Sequence, residues 1–181
     1  MQCQPTSLPE VKRIVPQVFA DKRGFFFEVW RESLLREQGI SASFVQENHS
    51  RSQQGVLRGL HYQIQQAQGK LVRVVAGEIW DVAVDLRRSS STFGRWTYAR
   101  LSSENRHMLW VPPGFGHGFL VTGQWAEMVY LCTDIYAPEH ERTIRWDDPE
   151  LGIQWPLGGT QPLISNKDAQ GMSFAQAEVY P

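Results

Sequence analysis

The segment from Leu57 to Gln63 carries a guanidinium and an imidazole three residues apart, on Arg58 and His61. Imidazole titrates near neutral pH, so it can remove a proton from a substrate or return one to it. On a straight strand, residues three apart point to opposite faces of the sheet. Gly59 lies between them and could host a bulge that turns one side chain toward the other. We therefore predict an irregular strand at Gly59.

Alternation along three further segments predicts a polar group of side chains inside a sheet structure. Residues two apart share a face, so Tyr130 is the one strongly polar residue on a face with Ala126, Met128 and Cys132. In the same way Lys70 shares a face with Val72 and Val74, and Asp81 and Asp85 share one with Ile79 and Ala83. A small barrel interior that collects Lys, Tyr and Asp is either a ligand pocket or a satisfied polar network. Taken singly, each residue is more often structural than catalytic; their occurrence together favours a site.

The run Pro112-Pro113-Gly114-Phe115-Gly116-His117 resembles the second motif of cupin jelly rolls. In metal-binding cupins that histidine joins a His-x-His pair and a glutamate. Here the pair reads His61-Tyr62-Gln63, and no glutamate follows at the usual spacing. The sequence therefore predicts no metal site and leaves His61 and His117 free for proton chemistry.

The elements that would carry these side chains are mostly short segments of alternating apolar and polar residues, separated by turn residues. The predicted strands are 11–19, 43–49, 56–63, 70–76, 78–86, 96–101, 109–111, 118–121 and 125–133, with turns that include Ala76-Gly77 and Thr122-Gly123. A short helix is predicted from Arg31 to Gln38, ended by Gly39, and a second near Ala169 to Ala177. This texture predicts an all-β, cupin-type double-sheet jelly roll with one or two short helices, in a single domain spanning residues 1–181.

Bulk composition excludes several classes of protein. The 181 residues carry a net charge of -1 and no basic run, which argues against nucleic acid and acidic membrane surfaces as partners. Cys3 and Cys132 lie far apart, so neither a zinc site nor a disulfide framework is indicated. No apolar stretch is long enough to cross a bilayer, and no signal peptide is evident. We expect a cytoplasmic protein.

A series of motifs follows in one order from about Val18 to Asp168. They are Asp21-x-Arg23-Gly24-Phe25-Phe26-x-Glu28, Phe44-Val45-Gln46-x-Asn48-His49-Ser50, Arg58-Gly59-Leu60-His61-Tyr62-Gln63, Gln68-Gly69-Lys70-Leu71-Val72-Arg73, Gly77 to Asp85, Trp110 to Phe119, Tyr130 with Tyr136-x-Pro138, and Ile144-x-Trp146. Together they resemble the dTDP-4-dehydrorhamnose 3,5-epimerase family. Two departures are Leu131, where many members carry a basic residue, and a slightly short loop from Gln63 to Gln68.

The resemblance implies cofactor-independent inversion at C3 and C5 of a dTDP-4-keto-6-deoxyhexose. It implies that His61 is the base and that Asp168, in Asn166-Lys167-Asp168, orients its imidazole. Lys70 would stabilise the enolate at the C4 oxygen, and Tyr130 would return a proton to the opposite face. Inversion needs groups on both sides of the ring plane, which gives the two proton-transfer residues distinct tasks.

The resemblance also implies a set of binding residues and a homodimer. Arg23, Arg58 and His117 match diphosphate and sugar contacts, and Glu28, Gln46, Asn48, Glu141 and Lys167 match other substrate contacts. Phe25 and Tyr136 could provide faces for the thymine ring. An N-terminal segment would cross to the partner subunit, so Arg23 and Glu28 would serve the other subunit's site.

Three other functions stay open on sequence grounds. The first is an epimerase that inverts only one carbon of a related sugar nucleotide. The second is a metal-dependent cupin, against which Gln63 argues. The third is a jelly roll that binds nucleotide sugars or carbohydrates without catalysis.

Overall fold

A computed structural model describes all 181 residues, and antiparallel strands dominate it. The strands are β1 (Gln2–Pro5), β2 (Lys12–Val15), β3 (Val18–Asp21), β4 (Gly24–Phe27), β5 (Gln46–Gln53), β6 (Leu57–Gln63), β7 (Lys70–Asp85), β8 (Trp96–Ser102), β9 (Met108–Val111), β10 (Phe115–Cys132) and β11 (Glu141–Thr143). The helices are α1 (Glu32–Glu37) and α2 (Asn166–Ala169), with 3-10 turns at Pro138–His140 and Phe174–Gln176.

Two long strands, β7 and β10, pair with each other and run through both sheets of the jelly roll. The first part of β7 pairs with β9 and the second part with β8. The first part of β10 pairs with β6 and the last part with β5. One sheet is therefore β1-β2-β9-β7-β10-β5 and the other is β8-β7-β10-β6-β11. The all-β double-sheet prediction is confirmed.

The predicted turns at Gly77 and at Thr122-Gly123 are wrong, because both lie inside these long strands. Gly77 has a φ of +76°, and a Cβ there would lie 1.9 Å from the carbonyl oxygen of Trp125. The pairing between β7 and β10 shifts register between Val121 and Ala126 at the same level. The chain thus bends from one sheet into the other without leaving the ladder, and glycine marks the bend rather than a turn.

The main core lies between the two sheets, and two further apolar clusters cover their outer faces. Between the sheets lie residues such as Val72, Ile79, Leu101 and Phe119. The β8–β11 sheet is covered by the C-terminal segment, including Trp155 and Phe174. The other sheet is covered by Leu35 of α1 and Ile40. The C-terminal segment brings α2 against β6.

The helix predicted from Arg31 to Gln38 is confirmed by α1. The helix predicted from Ala169 to Ala177 is wrong, because α2 ends at Ala169 and the chain then forms a bridge between Met172 and Ile144. A Cβ on Gly171 would lie 2.7 Å from the backbone nitrogen of Arg145, so the backbone at Gly171 packs closely against the backbone at Arg145. None of the helices has the length and apolarity needed to span a membrane.

The N-terminal part differs from the single strand predicted over 11–19. Strand pairing is broken around Pro16, which has no N–H to donate, and the chain forms β2 and β3 instead. Strands β3 and β4 form a hairpin that pairs only with itself. The hairpin exposes aromatic side chains, with Phe26 70% exposed and Phe19 and Phe25 each 57% exposed.

Candidate active site

Strand β6 is irregular at Gly59, as predicted. His61 lies opposite His117 of β10, but Arg58 lies opposite Phe119, so β6 has one residue more than its partner in this stretch. Gly59 has a φ of +117°, and a Cβ on it would lie 2.6 Å from the Cα of Gly118. Only glycine fits this close approach of two backbones.

His61 and Asp168 form a dyad, although 107 residues separate them in the chain. Nε2 of His61 lies 2.5 Å from Oδ1 of Asp168, which is buried in α2. Burial by itself raises the pKa of Asp168, but hydrogen bonds from His61 and Ser165 outweigh it and bring the pKa below its usual value. An ionised carboxylate only accepts, so the ring proton belongs on Nε2, and Nδ1 keeps the lone pair that a base needs.

Glu141 of β11 is held by two polar side chains at the rim of this region. Its Oε2 accepts a hydrogen bond from the Tyr136 hydroxyl at 2.6 Å and pairs with Nζ of Lys167 at 2.5 Å. Burial raises the pKa of Glu141, yet these two contacts, with a smaller electrostatic effect of His61, bring it below its usual value. Glu141 is therefore a carboxylate within electrostatic reach of the dyad.

The negative charge of Glu141 also acts on Lys70 and Tyr130, because it raises the pKa of both. Burial is the larger effect on each. It lowers the pKa of the Lys70 ammonium on balance and raises that of the Tyr130 phenol. Lys70 lies opposite Cys132, two residues from Tyr130 on the same face of β10. Glu141 is thus coupled electrostatically to Lys70, Tyr130 and His61, and His61 bonds Asp168.

His117 lies opposite His61, is buried and bonds Asp81, with Nε2 2.9 Å from Oδ1. The other carboxylate oxygen of Asp81 is buried without a hydrogen-bond partner, and the Asp81 charge raises the pKa of Lys70. Asp85, predicted on the same face, instead binds Arg87, Ser90 and Thr92 in a satisfied network. The two acids of that face therefore have different surroundings.

The predicted binding residues fall into two groups. Gln46 bonds Asn48 at 3.1 Å and accepts from the Tyr136 amide at 2.8 Å, which joins them to Glu141. Arg58 bonds Ser52, and its charge lowers the pKa of Tyr130, so it belongs to the same region.

Arg23 and Glu28 are not brought to this cluster within the chain. The Arg23 side chain is 84% exposed and pairs with Asp21, while Glu28 pairs with Arg31. No hydrogen bond or ion pair joins either one to the residues around Glu141. Their predicted role in another subunit's site stays a prediction.

Gln63, at the second ligand position of metal cupins, holds two loops together. Its Nε2 donates to the carbonyls of Gln66 and Ile135, and its Oε1 accepts from the Ala137 amide. Both polar atoms of the Gln63 side chain therefore bond backbone groups. No group of three or more His, Cys, Asp or Glu side chains in the chain has the arrangement of a metal site.

Comparison with known proteins identifies the family. The family model described as dTDP-4-dehydrorhamnose 3,5-epimerase matches residues 5–176. The chain belongs to this family. The dTDP-4-dehydrorhamnose 3,5-epimerase of Pseudomonas aeruginosa is 56% identical over the full length of both chains.

Solved structures of this epimerase family have the same fold. The dTDP-6-deoxy-D-glucose-3,5-epimerase of Legionella pneumophila, in complex with dTDP-4-keto-L-rhamnose, is similar with a TM-score of 0.94 and 49% identity, covering 98% of this chain and 94% of that one. A 3'-monoepimerase from Streptomyces bikiniensis, in complex with dTDP-quinovose, has a TM-score of 0.88 and 35% identity, covering 96% and 88%.

Two side chains of the candidate site have no role that the sequence predicts. Asp81 was placed on the right face, but its partner His117 is 36 residues away and alternation cannot pair them. Ser165 was missed, although its spacing of three residues from Asp168 is the N-cap to N3 spacing of a helix start.

Proposed function

We propose that this chain converts dTDP-4-dehydro-6-deoxy-D-glucose to dTDP-4-dehydro-L-rhamnose by inverting C3 and C5, with protein side chains alone and no cofactor or metal. The observation that carries the proposal is the His61–Asp168 dyad, and the electrostatic coupling of His61, Lys70 and Tyr130 to Glu141 supports it. A base, a cation and a protonated phenol are groups that can invert a carbon next to a carbonyl.

The proposed chemistry follows from the C4 carbonyl, which acidifies the neighbouring C–H bonds. Nδ1 of His61 removes the proton, and the negative charge moves to the C4 oxygen, where the Lys70 ammonium stabilises it. The Tyr130 phenol then donates its proton to carbon from the opposite face, and the carbonyl re-forms. His61 then releases its proton and Tyr130 regains one by exchange with solvent, which prepares both for the second carbon. Since burial raises the pKa of Tyr130, the phenol keeps its proton at neutral pH and is ready to donate.

The proposal assigns substrate contacts to the remaining predicted residues. These are Arg23, Glu28, Gln46, Asn48, Arg58, His117, Tyr136, Glu141 and Lys167. It also includes a cytoplasmic homodimer in which Arg23 and Glu28 reach the partner's site. The exposed aromatic hairpin supports this arrangement, since such a surface favours burial against another chain.

A one-carbon epimerase is the alternative within this chemistry. The similar 3'-monoepimerase is 35% identical, against 56% for the Pseudomonas aeruginosa enzyme, which favours double inversion. Incubation of the 4-keto sugar nucleotide in heavy water, with a chelator present, separates the two. We expect one deuterium at C3 and one at C5; deuterium at a single carbon would establish the alternative.

The same experiment tests the catalytic group. His61→Ala should slow deuterium incorporation by about 10²–10⁴-fold, the range for loss of a general base. His49→Ala is the matched control, because His49 lies on β5 and pairs with Glu127 instead. Normal incorporation by His61→Ala would contradict the proposed base, and a requirement for added metal would contradict the cofactor-free reaction.

A further inference from the structure

Ser165 makes two hydrogen bonds to Asp168 and none to the substrate-facing residues. Its Oγ accepts from the Asp168 amide at 3.1 Å, as the N-cap of α2, and donates to Oδ2 of the same residue at 2.7 Å. A hydroxyl has one proton and two lone pairs, so both bonds form at once. In the usual capping box the N3 carboxylate accepts from the N-cap amide; here it faces His61 and the serine hydroxyl.

Each oxygen of the Asp168 carboxylate therefore has its own task. Oδ1 lies 2.5 Å from Nε2 of His61 and accepts from the Gly59 amide at 3.4 Å. Oδ2 accepts from Ser165 and from no other group in the chain. Since Asp168 is only 3% exposed, little water can replace that donor.

We propose that Ser165 is a positioning residue for the epimerase reaction: its hydroxyl fixes the Asp168 carboxylate so that Oδ1 holds the His61 imidazole in the proton-accepting orientation. The inference rests on the proposed function, because it assumes that His61 is the base. Ser165 itself does not contact the reacting carbons; it acts through Asp168.

Two effects follow from loss of the hydroxyl. The carboxylate gains freedom to rotate, so the imidazole is held less firmly in its reactive geometry and the chemical step slows. One donor to the negative charge is also lost, so the dyad binds a proton more tightly. Activity needs the unprotonated dyad, and its acid limb should therefore move to higher pH.

The test compares Ser165→Ala with Ser165→Thr in the full-length protein. Threonine keeps both the hydroxyl and the N-cap, whereas alanine loses both. Ser173→Ala is the matched control, because Ser173 precedes the 3-10 turn in the same C-terminal segment and bonds only Gln176. The measurements are kcat, KM, the pH profile of deuterium incorporation and the unfolding midpoint. Ser165→Gly, which an N-cap tolerates well, replaces the alanine variant if that variant does not fold.

We expect Ser165→Ala to lower kcat about tenfold, with KM little changed, and to move the acid limb upward by up to about one pH unit. Ser165→Thr should restore most of both, and Ser173→Ala should match the wild type. Unchanged kcat and pH profile in the alanine variant would overturn the inference. A loss of activity without a shift of the acid limb would also overturn it, because that would mean that Ser165 only caps α2. So would a loss that threonine does not restore, because threonine keeps the hydroxyl to which the inference assigns the effect. A wild-type protein that incorporates no deuterium would instead refute the proposed function.

Discussion

In the proposed mechanism, the Tyr130 phenol and the His61 imidazole have separable tasks. If His61 removes the proton and Tyr130 supplies the new one, Tyr130→Phe should still exchange C–H for C–D through His61 and yet form little inverted product. We expect product formation to fall about 10²-fold or more, and exchange to fall far less. Proton NMR in heavy water measures both together.

Tyr98→Phe is the control for this change, because Tyr98 is half exposed on β8 and stacks on Trp80 away from the proposed site. It should behave as the wild type. An equal loss of exchange and product formation in Tyr130→Phe would contradict the assigned role of Tyr130.

In the proposed mechanism, Lys70 makes the reaction slower at alkaline pH. Burial lowers the pKa of its ammonium below the usual 10.5, so the charge that stabilises the enolate is lost as the pH rises through that lowered value. The pKa of Tyr130 is raised above 10, so Tyr130 does not account for a limb below that pH. We expect kcat to fall on the alkaline side below pH 10.5, and Lys70→Arg, which stays charged, to move the fall to higher pH.

Lys70→Ala should lower kcat by about 10²-fold and change KM much less, since the charge acts on the enolate rather than on the bound sugar. Steady-state kinetics with the 4-keto sugar nucleotide distinguish these quantities. An effect confined to KM would mean that Lys70 only binds phosphate.

Single residues show which parts of the site the sequence could predict. Alternation placed Tyr130, Lys70 and Asp81 on inward faces, and the structure agrees, because a period of two depends only on local backbone geometry. The pairing of His61 with Asp168 came from the family resemblance, since no local pattern links residues 107 positions apart. Asp85 shares the face of Asp81 yet belongs to a turn network, which depends on tertiary contacts that the pattern does not contain.

Among the elements, β7 and β10 show how glycine can mislead a prediction. Gly77 and Gly123 read as turns, so each long strand was predicted as two shorter ones. A bend within a ladder and a turn that ends one both call for glycine, and only the partner strand distinguishes them.

Gly77 is therefore expected to be one of the least replaceable residues of the fold. Alanine would combine a φ of +76° with a Cβ that lies 1.9 Å from the Trp125 carbonyl oxygen. We expect Gly77→Ala to lower the free energy of unfolding by at least about 2 kcal/mol, measured by urea denaturation.

Gly55→Ala separates the two causes, because Gly55 has the same φ of +76° but open space where the Cβ would lie. It should cost only about 1 kcal/mol, from the backbone conformation alone. Equal costs at Gly55 and Gly77 would mean that the close approach to Trp125 has no part in the bend.

For the molecule as a whole, the contacts within one chain do not explain why the hairpin of β3 and β4 exposes its aromatic side chains. It pairs with no other strand and exposes Phe19, Phe25 and Phe26, while Arg23 at its tip remains apart from the residues around Glu141. A hairpin that completes a partner's site would have these properties. Composition could not predict such an exchange, because it concerns surfaces on two copies of the chain.

Mixed dimers test whether Arg23 acts across the subunits. If it does, a dimer of Arg23→Ala with His61→Ala contains one site with both lesions and one with neither. Random pairing makes half of the dimers mixed, each with one of two sites intact, so co-expression should restore roughly a quarter of wild-type activity to two variants that are weak alone. Arg58→Ala with His61→Ala is the matched control: both residues lie in one chain's site, so every site in that mixture is damaged. Activity that rises in neither mixture would place Arg23 in its own subunit's site or outside catalysis, and the exchanged hairpin would lose its functional basis.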